Sequence, residues 1–182
     1  KKKIKKFNKN LITVGDKSLS IRWALLASQS LYKSRSYNLL ISEDVLNTLS
    51  CLKKLGVKIK LTKKFCEIYG VGLNGFKYKK KLSLNAGNSG TLGRLIMGLL
   101  VHSKNNVELK GDRSLSKRDF LRVSEPLAKF GAKFKTNFGK LPIVIKGTDE
   151  AMPISYHESK GSAQCKSAVM LAALNTNGET TI

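Results

Sequence analysis

The sequence predicts an α/β fold assembled from repeated βαβαββ units, and three observations carry that prediction. Helical and strand periods of hydrophobicity alternate along the chain, and glycines recur at nearly constant intervals. A loop of small and hydroxyl-bearing residues also leads into an apolar helix three times. The three versions are Gly15-Asp16-Lys17-Ser18, Gly87-Asn88-Ser89-Gly90-Thr91 and Gly161-Ser162-Ala163-Gln164.

In the first unit, residues 11–14 alternate as a strand that Gly15 breaks. From Ser18, the expected N-cap, Leu19, Trp23, Leu26 and Ala27 fall at helical spacing. Residues 36–40 return to strand character. Ser42-Glu43-Asp44 opens a second helix whose Val45, Leu49, Leu52 and Leu55 share one face, with Gly56 as its C′ residue. Residues 57–61 and 65–69 flank Thr62-Lys63-Lys64 as a hairpin.

The same order then returns. A strand over 82–84 precedes the second loop and a helix carrying Leu92, Leu95, Ile96 and Leu99. Next come a strand over 107–110, a helix over 116–130 and a hairpin of 132–135 with 141–145. That helix places Phe120, Val123, Leu127 and Phe130 on one face and ends at Gly131. Gly15 to Gly87 is 72 positions, Gly56 to Gly131 is 75 and Gly87 to Gly161 is 74. A third unit starts at Gly161 with a helix over 163–174, and the strand at Ile182 has barely begun. With no initiator Met either, the sequence reads as a piece of something longer.

Composition narrows the function classes. At 182 residues and 41% hydrophobic, without low-complexity tracts, the chain can bury a sizeable core. The longest apolar stretches, 95–101 and 168–174, are too short to span a bilayer. No hydrophobic region follows the basic residues 1–10, so they are not a secretory signal. Cys51, Cys66 and Cys165 are odd in number and scattered, as expected of reduced core thiols in a cytoplasmic protein. The net charge of +22 attracts anions. Runs such as 1–6 and 79–81 lack the interleaved aromatics of a base-stacking surface, which favours solvated faces and small anions over nucleic acid.

Each loop places free backbone N–H groups, hydroxyls and a cation at a helix start, and that combination binds anions. Lys17 adjoins Ser18, and Arg22 lies one turn further along the same side, within reach of a carboxylate. An ordinary cap with two solvated cations is the competing reading. Gly87 and Gly90 permit close backbone approach to a ligand, with Arg94 following. Arg113, Lys117 and Arg118 crowd one helix start, an arrangement that an anion between them would relieve. Ser162 and Gln164 add neutral donors, although Ser162 also suits a plain cap. His102 and His157 lack partners at metal or triad spacing and read as structural. Among the acids Asp44 is the best site candidate, with helix capping as its ordinary role. No P-loop, Rossmann fingerprint or Ser-His-Asp arrangement is present.

In order, these motifs resemble the 3-phosphoshikimate 1-carboxyvinyltransferase (EPSP synthase) family. Gly15-Asp16-Lys17-Ser18-Leu19-Ser20-Ile21-Arg22 resembles its opening G-[DS]-K-S-x-S-x-R, and Ser42-Glu43-Asp44-Val45 its S-x-D-[VT] stretch. Asn85-Ala86-Gly87-Asn88-Ser89-Gly90-Thr91 through Arg94-Leu95 resembles G-N-[AS]-G-T-x-x-R. The stretch from Gly111 to Arg118 and Gly161-Ser162-Ala163-Gln164 complete the set. Val14 stands where Pro is usual, Trp23 where a small residue or Pro is common, and Leu92-Gly93 is unusual before Arg94; none of these coincides with a ligand position.

The resemblance implies the N-terminal domain of a two-domain enolpyruvyl transferase, an inside-out α/β barrel. Residues 15–182 would form the substrate-binding domain, truncated in its third repeat, and residues 1–14 would belong to or border the second domain. The implied reaction transfers the enolpyruvyl group of phosphoenolpyruvate to the 5-hydroxyl of shikimate 3-phosphate. It releases phosphate by addition and elimination through a tetrahedral ketal, on the route to chorismate and aromatic amino acids. No metal or organic cofactor is implied. By motif, Lys17 is catalytic and touches both substrates, while Ser18 and Arg22 hold shikimate 3-phosphate. Gly90 and Arg118 face phosphoenolpyruvate. Ser162, Ala163 and Gln164 line shikimate 3-phosphate, with Gln164 also near phosphoenolpyruvate.

The family's acidic catalytic residues fall in the second domain, so this chain alone is expected to bind shikimate 3-phosphate weakly and not turn over. The full-length enzyme is expected to be a cytoplasmic monomer without nucleic-acid or membrane partners. Two alternatives remain. The transferase that uses UDP-N-acetylglucosamine shares fold and donor, but it typically carries a reactive Cys before the Arg matching Arg118 and opens with Lys-Asn. Here residues 113–117 hold no Cys and the opening is Lys-Ser. A basic RNA-binding α/β module would show itself by RNA binding that survives moderate salt.

Overall fold

The structure, a computed structural model, describes residues 8, 10, 11, 13–159 and 161–182. The first unit comprises α1 (Lys17–Ser28), β1 (Lys33–Tyr37), α2 (Glu43–Lys54), β2 (Lys58–Leu61) and β3 (Phe65–Tyr69). The second comprises β4 (Leu82–Asn85), α3 (Gly90–Leu99), β5 (Val107–Lys110), a 3-10 turn (Leu115–Lys117), α4 (Leu121–Ala128), β6 (Lys133–Asn137) and β7 (Lys140–Lys146). The third contributes α5 (Ala163–Ala173).

Sheet order displays the repeat. The first sheet runs β1-β3-β2 and the second β4-β5-β7-β6, so β5-β7-β6 reproduces the first sheet and β4 is an added parallel strand. Ser155 and Thr181 form a parallel bridge that matches the β4–β5 pairing in the third unit. The strand expected over 11–14 is absent at Leu11, Thr13 and Val14, and Ile12 lies outside the described residues. Leu11 and Val14 are exposed, and a strand needs a neighbour to complete its ladder. Asn38 Nδ2 donates to the Thr13 carbonyl at 3.0 Å.

Local signals account for most elements. The α2 stripe Val45, Leu49, Leu52 and Leu55 is buried, and Gly56 at φ 91° ends the helix as a left-handed C′ residue. The expected strand over 36–40 instead ends at Tyr37, because Asn38 turns the backbone to φ 56°. Three helix expectations differ from the structure. Asp16, not Ser18, caps α1, its side chain accepting from the Leu19 N–H at 2.7 Å. Of the expected α1 face, Leu19 and Leu26 are exposed; Ile21, Ala24 and Leu25 enter the core instead. The helix expected over 116–130 breaks at Arg118, which is extended at ψ 152°. Asp119 Oδ1 then accepts from Leu121 N at 2.8 Å and Phe120 N donates to Gly139 O at 2.9 Å, so α4 begins afresh.

The core centres on α3, all ten of whose residues are buried. Close approach of α5 requires Gly98: a Cβ there would stand 2.2 Å from the Ala168 carbonyl oxygen. Helix α2 packs on α1 and α3, and α4 on α3 and α5. Between α1 and α5 lies a groove of about 330 Å³ lined by Leu26, Leu95, Met170, Leu171 and Leu174, with Arg22 and Ser167. Cys51, Cys66 and Cys165 are buried and free, and burial pushes the Cys51 and Cys66 thiols up to about 11. Among the described residues no helix is long and apolar enough to cross a membrane.

Candidate active site

The helix starts of all three units are tied to one another by side chains. Lys17, first residue of α1, pairs through Nζ with Asp44 Oδ2 at 3.0 Å in the first turn of α2. Arg22 reaches from α1 to α5, donating through Nη2 to Ser167 Oγ at 3.2 Å and through Nη1 to the Ser18 carbonyl at 3.4 Å. Gln164, in the first turn of α5, accepts through Oε1 from Arg94 Nη1 at 2.7 Å and donates through Nε2 to Thr91 Oγ1 at 3.1 Å. Arg94 Nη2 donates to the Asp119 carbonyl at 3.1 Å, and Arg118 Nη2 donates to Asn88 Oδ1 at 2.9 Å.

Side-chain bonds therefore run from α2 through α1, α5 and α3 to the segment that opens α4. Of the eight site residues read from the sequence, Lys17, Arg22, Gln164 and Arg118 are in this chain through their side chains. Ser18 joins through its carbonyl and is half-buried in the first turn of α1. Ser162 caps α5, accepting from Cys165 N at 3.3 Å, and its hydroxyl proton stays available to a ligand. Ala163 opens α5 and is exposed. Gly90, first residue of α3, is flanked by two guanidinium groups. A Cβ there would meet Arg94 Nη1 at 2.9 Å and Arg118 Nη1 at 3.1 Å.

The electrostatics are one-sided. Among the described residues no carboxylate lies within ion-pair distance of Arg22, Arg94 or Arg118; Lys17 alone of these cations has one. Burial, with Arg122 and Arg118 nearby, holds the Arg94 guanidinium below its ordinary value. Cations gathered in and around helix starts with only Asp44 as a matching acid favour a polyanionic ligand. The backbone adapts to this: Gly87 at φ 57° lies where a Cβ would strike Asn47 Nδ2 at 2.3 Å, so only glycine brings the second loop against α2.

The sequence reading missed several members. Asn88 and Thr91 lie inside the quoted second loop, but their partners, Arg118 and Gln164, come from other segments. Asp44, the acid singled out as a site candidate, faces Lys17 with its carboxylate, and its ordinary role as a helix cap is not the one it takes, since Ser42 holds the N-cap position of α2. The two histidines stay apart from this cluster. His102 Nε2 lies 3.2 Å from both the Ala172 carbonyl and Thr176 Oγ1, and His157 is exposed. Among the described residues no group of three or more His, Cys, Asp or Glu side chains could hold a metal ion.

Comparison with known proteins agrees with the geometry. The family model for EPSP synthase (3-phosphoshikimate 1-carboxyvinyltransferase) matches residues 1–182. The 3-phosphoshikimate 1-carboxyvinyltransferase of Vesicomyosocius okutanii is 46% identical over 173 residues, covering 95% of this chain and 40% of that protein. That of Ruthia magnifica is 47% identical over 168 residues, covering 92% and 38%. A solved EPSP synthase from Acinetobacter baumannii superposes with a TM-score of 0.88 at 36% identity, covering 93% of this chain and 39% of that one. The chain thus spans about 40% of the length of the curated relatives it matches. Its motifs, its repeated sheet order and the match along its whole length make it a member of the EPSP synthase family.

Proposed function

We propose that this chain supplies the substrate-holding part of an enzyme that transfers the enolpyruvyl group of phosphoenolpyruvate to the 5-hydroxyl of shikimate 3-phosphate. The observation that carries the reading is the linkage of all three repeat loops into one cationic, carboxylate-poor cluster. Lys17, Ser18, Arg22, Ser162, Ala163 and Gln164 would hold shikimate 3-phosphate; Lys17, Gly90, Arg118 and Gln164 would hold phosphoenolpyruvate. In the reaction the 5-hydroxyl gives up its proton as its oxygen bonds to C2 of phosphoenolpyruvate, while C3 gains a proton. The resulting ketal then loses phosphate from C2 and a proton from C3. Both substrates are polyanions, and fixed cations at helix starts hold them together and stabilise the charge that moves to the leaving phosphate.

Residues 15–182 act as the substrate-binding domain and residues 1–14 belong to or border a second one, a reading supported by the exposure of Leu11 and Val14. The partners are the two small substrates rather than nucleic acid, in a cytoplasmic, monomeric enzyme. The test is a chemical-shift titration of the chain with shikimate 3-phosphate, then phosphoenolpyruvate, alongside a phosphate-release assay. Shifts confined to the three loops, without turnover by the chain alone, are expected. Tight RNA binding at moderate salt that shikimate 3-phosphate does not compete would overturn the reading.

A further inference from the structure

Gln164 is gripped at both ends of its amide: Arg94 donates to its oxygen and Thr91 accepts from its nitrogen. A guanidinium is a donor only, so the amide oxygen is the atom that must face Arg94; the flipped amide would set N–H against N–H. Arg94 is itself immobilised. Its second nitrogen donates to the Asp119 carbonyl, and its guanidinium carbon lies 5.1 Å from the centre of the Phe120 ring. Gly93 admits that ring, since a Cβ there would stand 3.3 Å from two of its carbons. Arg94 is only 6% exposed, on a helix otherwise filled by core residues, and no carboxylate pairs with it among the described residues. A cation buried in this way is costly for the fold, and its visible effect is to fix one neighbouring amide.

We propose that Arg94 and Thr91 are positioning residues that lock the sense of the Gln164 amide, so that the second Nε2–H faces the bound substrate anion. The proposal rests on the substrate reading given above. Nitrogen and oxygen of a free glutamine amide exchange places by rotation, and the oxygen repels phosphate. The lock removes that wrong state before the ligand arrives. Arg94 therefore acts through Gln164, without itself touching substrate.

The test follows the Gln164 side-chain N–H pair in the nitrogen–proton spectrum of the chain, identified by its disappearance in Gln164→Leu. Two well-separated resonances are expected without ligand, one of which moves on titration with phosphoenolpyruvate. Arg94→Met and Thr91→Val should both draw the pair together, and Arg94→Met should lower phosphoenolpyruvate affinity about tenfold, the loss of one charge-assisted hydrogen bond. Arg94→Lys separates the lock from simple charge: it keeps the cation but loses the fork, and affinity should stay severalfold down. Full recovery with Lys, or an unchanged pair in Arg94→Met, would overturn the proposal. If Arg94→Met does not fold, as its backbone spectrum would reveal, Thr91→Val decides the matter alone. A separated pair in a wild-type chain that responds to neither substrate would instead sink the substrate reading and leave the lock standing.

Discussion

Replacing Gly90 by alanine separates site from scaffold. The new methyl would lie 2.9 Å from Arg94 Nη1 and 3.1 Å from Arg118 Nη1, with Leu115 Cδ1 next at 3.8 Å. Non-bonded heavy atoms rest at about 3.5 Å or more, so both guanidinium groups must retreat by roughly half an ångström. They are ends of flexible side chains, and alanine is favoured over glycine in a helix by about 1 kcal/mol, so the fold should survive with a Tm within a few degrees of the parent. The site should not. The retreat misaligns the bonds from Arg94 to Gln164 and from Arg118 to Asn88, each charge-assisted and worth about 1.5–3 kcal/mol. On the proposed reading phosphoenolpyruvate affinity should fall by about ten- to a hundredfold, whereas shikimate 3-phosphate, with further proposed contacts at Lys17, Ser18, Arg22, Ser162 and Ala163, should lose less than about threefold. Parallel titrations with each substrate and a thermal melt measure all three quantities. Equal losses for both substrates, or an unchanged affinity for phosphoenolpyruvate, would refute the reasoning.

Other perturbations test the same packing and charges. Gly98→Ala sets a methyl 2.2 Å from the Ala168 carbonyl oxygen, a backbone atom that cannot swing aside, so α3 and α5 must part. Urea denaturation should register a loss of about 3 kcal/mol. Lys17→Met leaves Asp44 without its partner and should weaken both substrates in titration while leaving the melting temperature nearly unchanged, because that ion pair is half-exposed. Burial holds His102 below its ordinary value of 6.5, so the unfolded chain takes up this proton first. Its contribution is complete above pH 6.5 and declines as pH falls toward the lowered folded value; His102→Gln should flatten that part of the stability–pH curve in denaturant titrations. The buried Cys51 and Cys66 thiols should resist a thiol reagent at pH 8 and react on unfolding, which timed labelling with and without urea will display.

What was legible in the sequence was what is locally determined. Helix α2 carries one clear apolar stripe, with acids in its first turn, lysines in its last and Gly56 closing it, and its period marked the face that is buried. Helix α1 offers Leu19, Ile21, Trp23, Ala24, Leu25, Leu26 and Ala27, nearly a full circumference, so period alone admits two faces. Tertiary packing chose the one carrying Ile21, Ala24 and Leu25. Asp16 and Ser18 are both capping residues two positions apart, and nothing nearby decides between them. The break at Arg118 depends on Gly139, whose carbonyl receives the Phe120 N–H from another part of the unit. The site divides in the same way. Each loop carried the residues of a candidate anion site in its own stretch of sequence. The ties were not legible there, because Arg94 and Gln164 are 70 residues apart and Arg22 and Ser167 are 145.

Helix α3 has no outer side. Its ten residues are all buried, its first turn bears Gly90 and Thr91, and its middle holds Arg94. On an ordinary helix, tolerance to substitution rises and falls every three to four residues as positions pass from core to solvent. Along α3 that rhythm should vanish. A saturation scan read out by folding alone would find an unbroken intolerant run from Leu92 to Leu99, and one read out by ligand binding would extend that run back to Gly90 and Thr91. Drift in the sequence around this candidate site must therefore enter through the loops and the partner helices α1 and α5.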